Sequence, residues 1–242
     1  MFCGLDNPLS GQNLNDNAGG ALLIGVGYAV QWPGGDLNER FGRNNNINIG
    51  VDYITNGSNW IVGIEGGLLF GAEVMEDPLV NLRTEQGFVI GNDRDPADLQ
   101  LRERAILVSA HLGKLIGLSA ANPRSGLRLI IGGGLLQHKI RIQDDPMRQV
   151  AALADGYREG YDRLTNGLAI TEFIGYQLLS RNREVNFRIG FELTQAFTQS
   201  RRSYDFDLMR ADTERRTDLL YGIKAVWTLP LYIGENAGNI YY

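Results

Sequence analysis

The chain has 242 residues, of which 43% are apolar and 21% charged, and its formal net charge is −5. Glycine accounts for 31 residues, nearly double its usual share of about 7%, and this disfavours a helical protein because an interior helical glycine costs about 1 kcal/mol relative to alanine. The single cysteine excludes a disulfide framework and a four-cysteine zinc site, and the acidic balance excludes the basic surface that nucleic-acid binding needs.

Eight segments of the chain alternate between two kinds of residue. Bulky apolar residues occupy every second position, and glycine, alanine, threonine and a few charged residues occupy the positions between them. A period of two predicts β-strands rather than helices. In chain order, the bulky positions run from Leu22 to Trp32, Ile47 to Tyr53, Trp60 to Phe70, Ile106 to Leu112, Leu127 to Leu135, Leu168 to Tyr176, Val185 to Leu193 and Leu219 to Trp227.

The composition of the two faces distinguishes a soluble barrel from a membrane barrel. A soluble barrel turns its apolar face inward, and its outer face, which meets water, is polar. Here the polar face is small and rich in glycine, which suits a narrow packed interior, so the bulky face would meet lipid. We therefore predict an all-β fold, an eight-stranded antiparallel transmembrane β-barrel.

One acidic residue disturbs this pattern. Glu172 occupies a bulky, apolar position of the sixth segment, where its carboxylate would face lipid. A β-bulge inserts one extra residue and re-aims the side chains that follow. We expect such a bulge beside Glu172.

Long and short connections alternate along the chain. Bacterial membrane barrels have short periplasmic turns and long extracellular loops, which places both chain ends in the periplasm of an outer-membrane protein. No export signal is visible, so we expect a mature or truncated form. The short turns are 55–59, 120–125 and 180–184, and the long loops are 33–43, 72–100, 141–165 and 201–216. We expect a periplasmic N-terminal segment at 1–19, the barrel at 20–232 and a periplasmic tail at 233–242.

Aromatic residues collect at the ends of the predicted strands. Amphipathic rings prefer the headgroup level of a bilayer, so a membrane barrel carries two aromatic girdles. The outer girdle is predicted to comprise Trp32, Phe70, Phe197 and Tyr221, and the inner girdle Tyr53, Trp60, Tyr176, Phe187, Trp227 and Tyr232.

Charged residues on the small face would point into the lumen. The interior of an eight-stranded barrel is just wide enough for side chains to fill, so we expect these residues to form a plug of salt bridges. A narrow porin-like channel is the alternative. The predicted lumen residues are Asp52, Glu65, His111, Arg128, Arg188, Glu192 and Lys224.

Ser109 and His111 lie two residues apart on one strand and share a face. The spacing is similar to that in outer-membrane lipid A deacylases, and this resemblance implies a serine nucleophile that a base must activate. Those enzymes act at the lipid-facing surface, whereas the alternation points both residues inward. We therefore expect a packing role and no catalytic residue, with a lipid A hydrolase as the alternative.

The loop at 72–100 is acidic, with seven acids against two arginines. Asp93, Asp95 and Asp98 could offer oxygens to calcium, but the spacing and the glycine of an EF-hand loop are missing, so we predict no metal site and no cofactor. Apolar residues at 88–90 would be costly to expose, which indicates a strand extension or a partner surface. The loop at 201–216 carries five arginines and a similar number of acids, which favours pairing within that loop.

The chain resembles the small porin-like outer-membrane barrels of Bacteroidota. The resemblance lies in the glycine-rich strands, the turn at 122–126, the segment at 160–167 and the aromatic ending Tyr241–Tyr242. It is strongest to the PorT-like and PorG-like barrels that accompany type IX secretion. That resemblance implies a non-catalytic accessory or structural subunit. The expected partners are outer-membrane lipids, lipopolysaccharide and other secretion or surface proteins, and not nucleic acid.

Overall fold

A computed structural model describes residues 19–120, 122–143, 147–154, 156–180 and 185–233. Within these ranges eight long strands form a barrel and two short strands form a separate hairpin. The barrel strands are β1 (Gly20–Gly35), β2 (Asn44–Ile54), β3 (Trp60–Gly71), β6 (Gln100–Ser119), β7 (Asn122–Gln143), β8 (Thr165–Leu179), β9 (Asn186–Ser200) and β10 (Arg215–Ile233). The hairpin pairs β4 (Val89–Ile90) with β5 (Pro96–Ala97), and helix α1 spans Leu37–Arg40. Single 3-10 turns span Val80–Leu82, Ala151–Leu153 and Arg158–Gly160.

The eight long strands form a closed antiparallel ring, which confirms the predicted fold. The strand order around the ring is β1-β10-β9-β8-β7-β6-β3-β2. The ring closes where β1 pairs with β10, from Gly20 opposite Ile233 to Gly35 opposite Asp218. Closure leaves no unpaired strand edge, which would be unsatisfied in lipid. The predicted tail boundary falls at the last residue of β10, and segments 1–18 and 234–242 lie outside the described residues.

The bulky apolar face points outward and the small face points inward. Leu23 and Ala29 of β1 are completely buried, whereas Ile49 and Ile64 are 60% and 63% exposed. This exposed apolar surface continues around all eight barrel strands. A surface of that extent is stable in a bilayer and not in water.

The bulge predicted beside Glu172 is wrong. β8 pairs without interruption with both neighbours, and Glu172 lies opposite Ile131 of β7 and Leu193 of β9. The register shift that the described barrel strands show lies between Gly117 and Ser119, close to a periplasmic turn. Glu172 therefore remains exposed on the outward face.

Two apolar clusters close the interior above and below a polar middle layer. The lower cluster includes Leu23, Ile54, Ile61, Leu115 and Leu179. The upper cluster includes Leu37 and Phe41, which α1 and the residue after it insert into the extracellular mouth against Leu69, Leu136 and Leu220. Small residues make room for larger ones between these layers. Gly175 and Gly190 lie opposite each other, and the Phe173 ring fills the space that their side chains would occupy.

The extracellular loops fold together into a cap with its own apolar cluster of Leu79, Ile142, Leu153 and Tyr161, against which Phe206 packs. Part of the apolar run at 88–90 forms strand β4 of the hairpin, and Val89 on this strand is buried. The strand belongs to the separate hairpin and does not extend a barrel strand. No helix in the described ranges is long and apolar enough to cross a membrane.

The outward orientation predicts how the barrel responds to a new charge. Val108→Arg places a cation on the exposed middle of β6 and should lower the free energy of unfolding by about 2–4 kcal/mol, because the charge must enter lipid. Urea titration of the barrel folded in lipid vesicles measures this quantity. Gln143→Arg, at the extracellular end of β7, is the control and should change it by less than about 1 kcal/mol. Equal losses in the two variants would contradict the orientation.

Candidate functional site

The structure brings all seven predicted lumen residues into one network across the barrel. Alternation turns each of these side chains inward, and the closed ring then places strands that are far apart in sequence on opposite sides of a narrow interior. Gln31 and Gln177 join the network, so that every one of the eight barrel strands contributes at least one polar group. These glutamines were not among the lumen residues predicted from the sequence. Both occupy inward-facing positions of the alternation, and their long polar side chains among small residues were the signal that could have identified them.

Asp52 is the centre of one half of the network. Its Oδ2 accepts hydrogen bonds from Arg128 Nη2 at 2.7 Å and Arg188 Nη1 at 2.5 Å. Its Oδ1 lies 2.6 Å from His111 Nε2. Two cations on one buried carboxylate would leave an excess of positive charge. Arg188 Nη2 therefore also reaches Glu65, whose Oε2 lies 3.2 Å away.

Lys224 is the centre of the other half. Its ammonium group donates to Glu65 and, at 2.5 Å, to Glu192. Gln31 completes this half by donating to Glu192 Oε1 at 3.1 Å. The acids and bases alternate in space, so each buried charge has a partner of opposite sign. Such pairing is the condition under which buried charges are tolerated.

The network leaves little free space in the lumen. The cavity that Glu65, Ser109, His111, Arg128 and Thr171 help to line has a volume of about 30 Å³, which is the volume that one water molecule occupies in the liquid. The two apolar clusters lie above and below this middle layer.

Ser109 and His111 both face the lumen, as the alternation predicts. Ser109 is buried opposite Gly134 and Glu65, and His111 is held by Asp52. The strand backbone separates the serine hydroxyl from the lipid surface.

Nine of the ten girdle residues lie on the outward face of the barrel. In the outer girdle Trp32 is opposite Tyr221, and in the inner girdle Phe187 is opposite Trp227. Tyr232 does not belong to the inner girdle. It packs inside the barrel against the lower apolar cluster, because it lies eight positions, an even number, after the inward-facing Lys224 on the same strand. The others are Tyr53, Trp60, Phe70, Tyr176 and Phe197.

These features define the kind of barrel. Its apolar exterior is bounded by two aromatic girdles, and its even number of strands is joined by short turns on one side and long loops on the other. That combination is found in barrels of the bacterial outer membrane. The chain is an outer-membrane β-barrel.

The cap is held by a second charge network, outside the membrane-spanning strands. Arg163 is buried and pairs with Glu76 at 2.6 Å, Asp205 at 3.1 Å and Asp207 at 2.5 Å. Arg40 joins Glu76 at 2.8 Å, and Arg202 joins Asp162 at 2.7 Å. These pairs connect different loops.

The sequence predicted ion pairs within the 201–216 loop. Arg216 does pair within this loop, with Asp212 and Glu214. Arg202 does not, because its partner Asp162 belongs to another loop.

The charges of the cap shift one another's ionisation. Burial lowers the pKa of Arg163, but hydrogen bonds to Asp207 and Glu76 outweigh burial and raise it. Burial raises the pKa of Asp212, but hydrogen bonds from Arg216 and the Glu214 backbone outweigh burial and lower it. Both groups are therefore held in their charged forms.

Two acids of the acidic loop pair with an arginine of the next loop. Arg148 lies 3.2 Å from Asp93 and 3.5 Å from Asp95. In the described part of the chain, histidines, cysteines and acids form no group of three that could hold a metal ion.

Comparisons with known proteins find structural likeness only. No family model and no curated protein sequence matches the chain. The Yersinia pestis attachment invasion locus protein Ail is 13% identical over 87% of this chain and 99% of its own, with a TM-score of 0.43. One structure of Ail contains the heparin analogue sucrose octasulfate. Neisserial surface protein A is 9% identical over 86% of this chain and 97% of its own, with a TM-score of 0.39. The N-terminal barrel of Pseudomonas aeruginosa OprF is 10% identical over 86% and 96%, with a TM-score of 0.35.

The lumen network predicts a large effect from its central carboxylate. Asp52→Asn removes the negative charge between two buried guanidinium groups and should lower the free energy of unfolding by about 3–5 kcal/mol. Urea titration in vesicles measures the loss. The exposed Glu85→Gln is the control and should change stability by less than about 0.5 kcal/mol. A similar small change in Asp52→Asn would show that the network does not hold the barrel.

The cap network predicts a local effect. Arg163→Gln leaves three carboxylates close together, so the cap loops should open about a hundredfold more often, which corresponds to about 3 kcal/mol. Amide hydrogen exchange of residues 156–164 and 201–212 measures this opening, with Arg210→Gln as the control.

Acid should also weaken the cap of the unsubstituted protein, and the same exchange measurement tests this. The lowered pKa of Asp212 means that its stabilisation is present above about pH 4 and is lost as the pH falls further.

Proposed function

We propose that this outer-membrane barrel is a non-catalytic accessory subunit of a membrane assembly that secretes or displays surface proteins. The observation that carries the proposal is Glu172, an acid in the lipid-facing belt. Between the two girdles, the outward faces of the described strands carry no other acid or base.

Glu172 lies close to the middle of the bilayer. Along β8 it is midway between Leu168, which pairs with the outer-girdle residue Phe197, and the inner-girdle residue Tyr176. Its outward neighbours are apolar, with Ile131 and Leu193 directly opposite. Within the described residues no hydrogen bond or ion pair reaches its carboxylate.

An acid in this position is costly for a solitary barrel. Placing an ionisable side chain at the bilayer centre costs of order 1–3 kcal/mol even by the lower estimates, and such residues usually face a partner. An apolar recess of about 520 Å³ lies beside Glu172, lined in part by Leu129, Ile131, Ile174 and Phe191. A neighbouring membrane protein that fills this recess and offers a basic, amide or hydroxyl group would recover the cost.

The cap supports the same proposal from the extracellular side. Its ion pairs hold the loops in one arrangement, yet several large apolar side chains remain exposed on it, among them Met75, Val80, Phe88 and Met209. Exposed apolar side chains on an ordered surface are typical of protein contacts. A secreted or surface protein could bind here while a membrane partner binds at Glu172.

The two alternative functions have less support. A channel needs a continuous aqueous path, whereas the lumen is filled by the charge network and two apolar clusters. A lipid A hydrolase needs its serine at the lipid surface, whereas Ser109 faces the interior. Type IX secretion is the specific assembly that we propose, on the strength of the family resemblance in the sequence.

The test is the co-purification of partners with tagged variants from the native outer membrane. In mild detergent the parent should elute as a stoichiometric complex whose members mass spectrometry identifies. Glu172→Leu should reduce partner recovery at least tenfold, because the leucine cannot accept the partner's hydrogen bond. The matched control is Ile170→Leu, on the same face of the same strand but outside the lining of the recess, which should keep the complex.

The isolated barrel should respond in the opposite direction. In vesicles that contain no other protein, Glu172→Leu should raise the free energy of unfolding by about 1–3 kcal/mol, since the acid no longer enters lipid. A parent that elutes alone, or a Glu172→Leu variant that retains its partners, would refute the proposal.

A further inference from the structure

A cluster of cations lies on the outward face of the barrel just above the outer girdle. β6 and β7 rise higher than their neighbours, since β3 ends at Gly71 opposite Glu103 and β8 begins at Thr165 opposite His138. The cluster, which we call the rim patch, consists of Arg102 and Arg104 on β6 and Lys139 and Arg141 on β7.

The rim patch places like charges directly opposite each other. Arg104 is paired across the strands with Lys139, and Arg102 with Arg141. Like charges in this arrangement destabilise a sheet. The fold alone therefore gives no reason for four cations on two adjacent strands.

Carboxylates of the described residues neutralise the rim patch only in part. Arg102 donates to the Gln100 side chain and Arg104 to the Glu103 backbone carbonyl, both at 2.7 Å, so neither meets a carboxylate there. Lys139 lies 3.8 Å from Asp162, but Asp162 is held more closely by Arg202 at 2.7 Å. Arg141 is exposed and makes no hydrogen bond or ion pair within the described ranges.

An apolar recess lies immediately below the rim patch, on the membrane side. It has a volume of about 390 Å³, and its lining includes the apolar Leu68, Phe70 and Ile106 together with Arg104 and Lys139 of the rim patch. Phe70 belongs to the outer girdle and lies opposite Arg104. Because girdle aromatics mark the headgroup level, the cations lie where lipid phosphates of the outer leaflet are found.

We infer that the rim patch and this recess bind a phosphorylated glycolipid of the outer leaflet, the lipid A part of lipopolysaccharide. Each guanidinium group can bind two phosphate oxygens at once, and Lys139 adds a point charge opposite Arg104. An acyl chain of the same lipid lies in the recess. A bound phosphate also removes the repulsion between the opposed cations. A membrane lipid is favoured over an acidic protein because the recess opens toward the bilayer.

The test uses the full chain in a non-ionic detergent, with bis-phosphorylated lipid A as the probe and native mass spectrometry or calorimetry as the readout. The double variant Arg104→Gln/Lys139→Gln should bind lipid A at least tenfold more weakly than the parent. The control Arg94→Gln/Arg210→Gln removes two exposed loop arginines, gives the same change in net charge and should stay within twofold of the parent.

Thermal unfolding separates a binding role from a structural one. Without lipid A the double variant should melt no lower than the parent, since it removes one pair of opposed cations. With lipid A only the parent and the control should gain stability. Equal lipid A binding by the double variant, or a lower melting temperature in the absence of lipid, would overturn the inference.

Three further ligands distinguish the source of the phosphate. Dephosphorylated lipid A with the same acyl chains should bind at least tenfold more weakly to the parent, and inorganic phosphate should not compete at millimolar concentration. A polyglutamate peptide should not displace lipid A. Equal binding of the dephosphorylated lipid would show that the recess binds acyl chains without using the phosphate. Competition by inorganic phosphate would show a site for a free anion. Displacement by the peptide would show that the rim patch contacts an acidic protein.

Discussion

The pairing of charges across the lumen is the interaction on which the rest of the barrel depends. Eight strands enclose a space that only side chains can fill, and here the middle of that space contains Asp52, Glu65, Glu192 and their basic partners. None of these charges could remain buried without the others. Because every barrel strand contributes to this layer, the network links all eight strands, and it leaves little free space in the lumen.

Function is consequently expected on the outer surfaces, where polar groups lack partners. In the lumen network each acid meets a base, whereas in the described ranges Glu172 in the lipid belt has no such partner and the rim patch has only the long contact between Lys139 and Asp162. The two have opposite charge and lie at different depths, so they suit different ligands. A carboxylate at mid-bilayer suits a protein donor, and cations at the headgroup level suit phosphate. The rigid cap adds a third surface, which faces away from the cell.

The strands, their inward and outward faces and the seven lumen charges could be predicted from the sequence because alternation is a local property. The same alternation, continued to the end of the last strand, would have placed Tyr232 inside, since Tyr232 and Lys224 both occupy even-numbered, inward-facing positions. Glu172 was visible as well, but the prediction assumed that the chain would avoid exposing an acid to lipid. The cap could not be predicted, because partners such as Arg163 and Glu76 are 87 residues apart and meet only when separate loops fold together.

The pairing of β1 with β10 has a consequence for how the barrel assembles. The first and last strands of the ring must meet across nearly the whole length of the chain, and contacts of such long range form slowly. Lys224 arrives with β10, so Glu65 and Glu192 lack this cation until the last strand docks. Ring closure and charge neutralisation are then a single event. A chain interrupted before β10 would expose both an open strand edge and an acid, Glu192, without a basic partner, which gives quality-control proteases a clear difference between an unfinished barrel and a finished one.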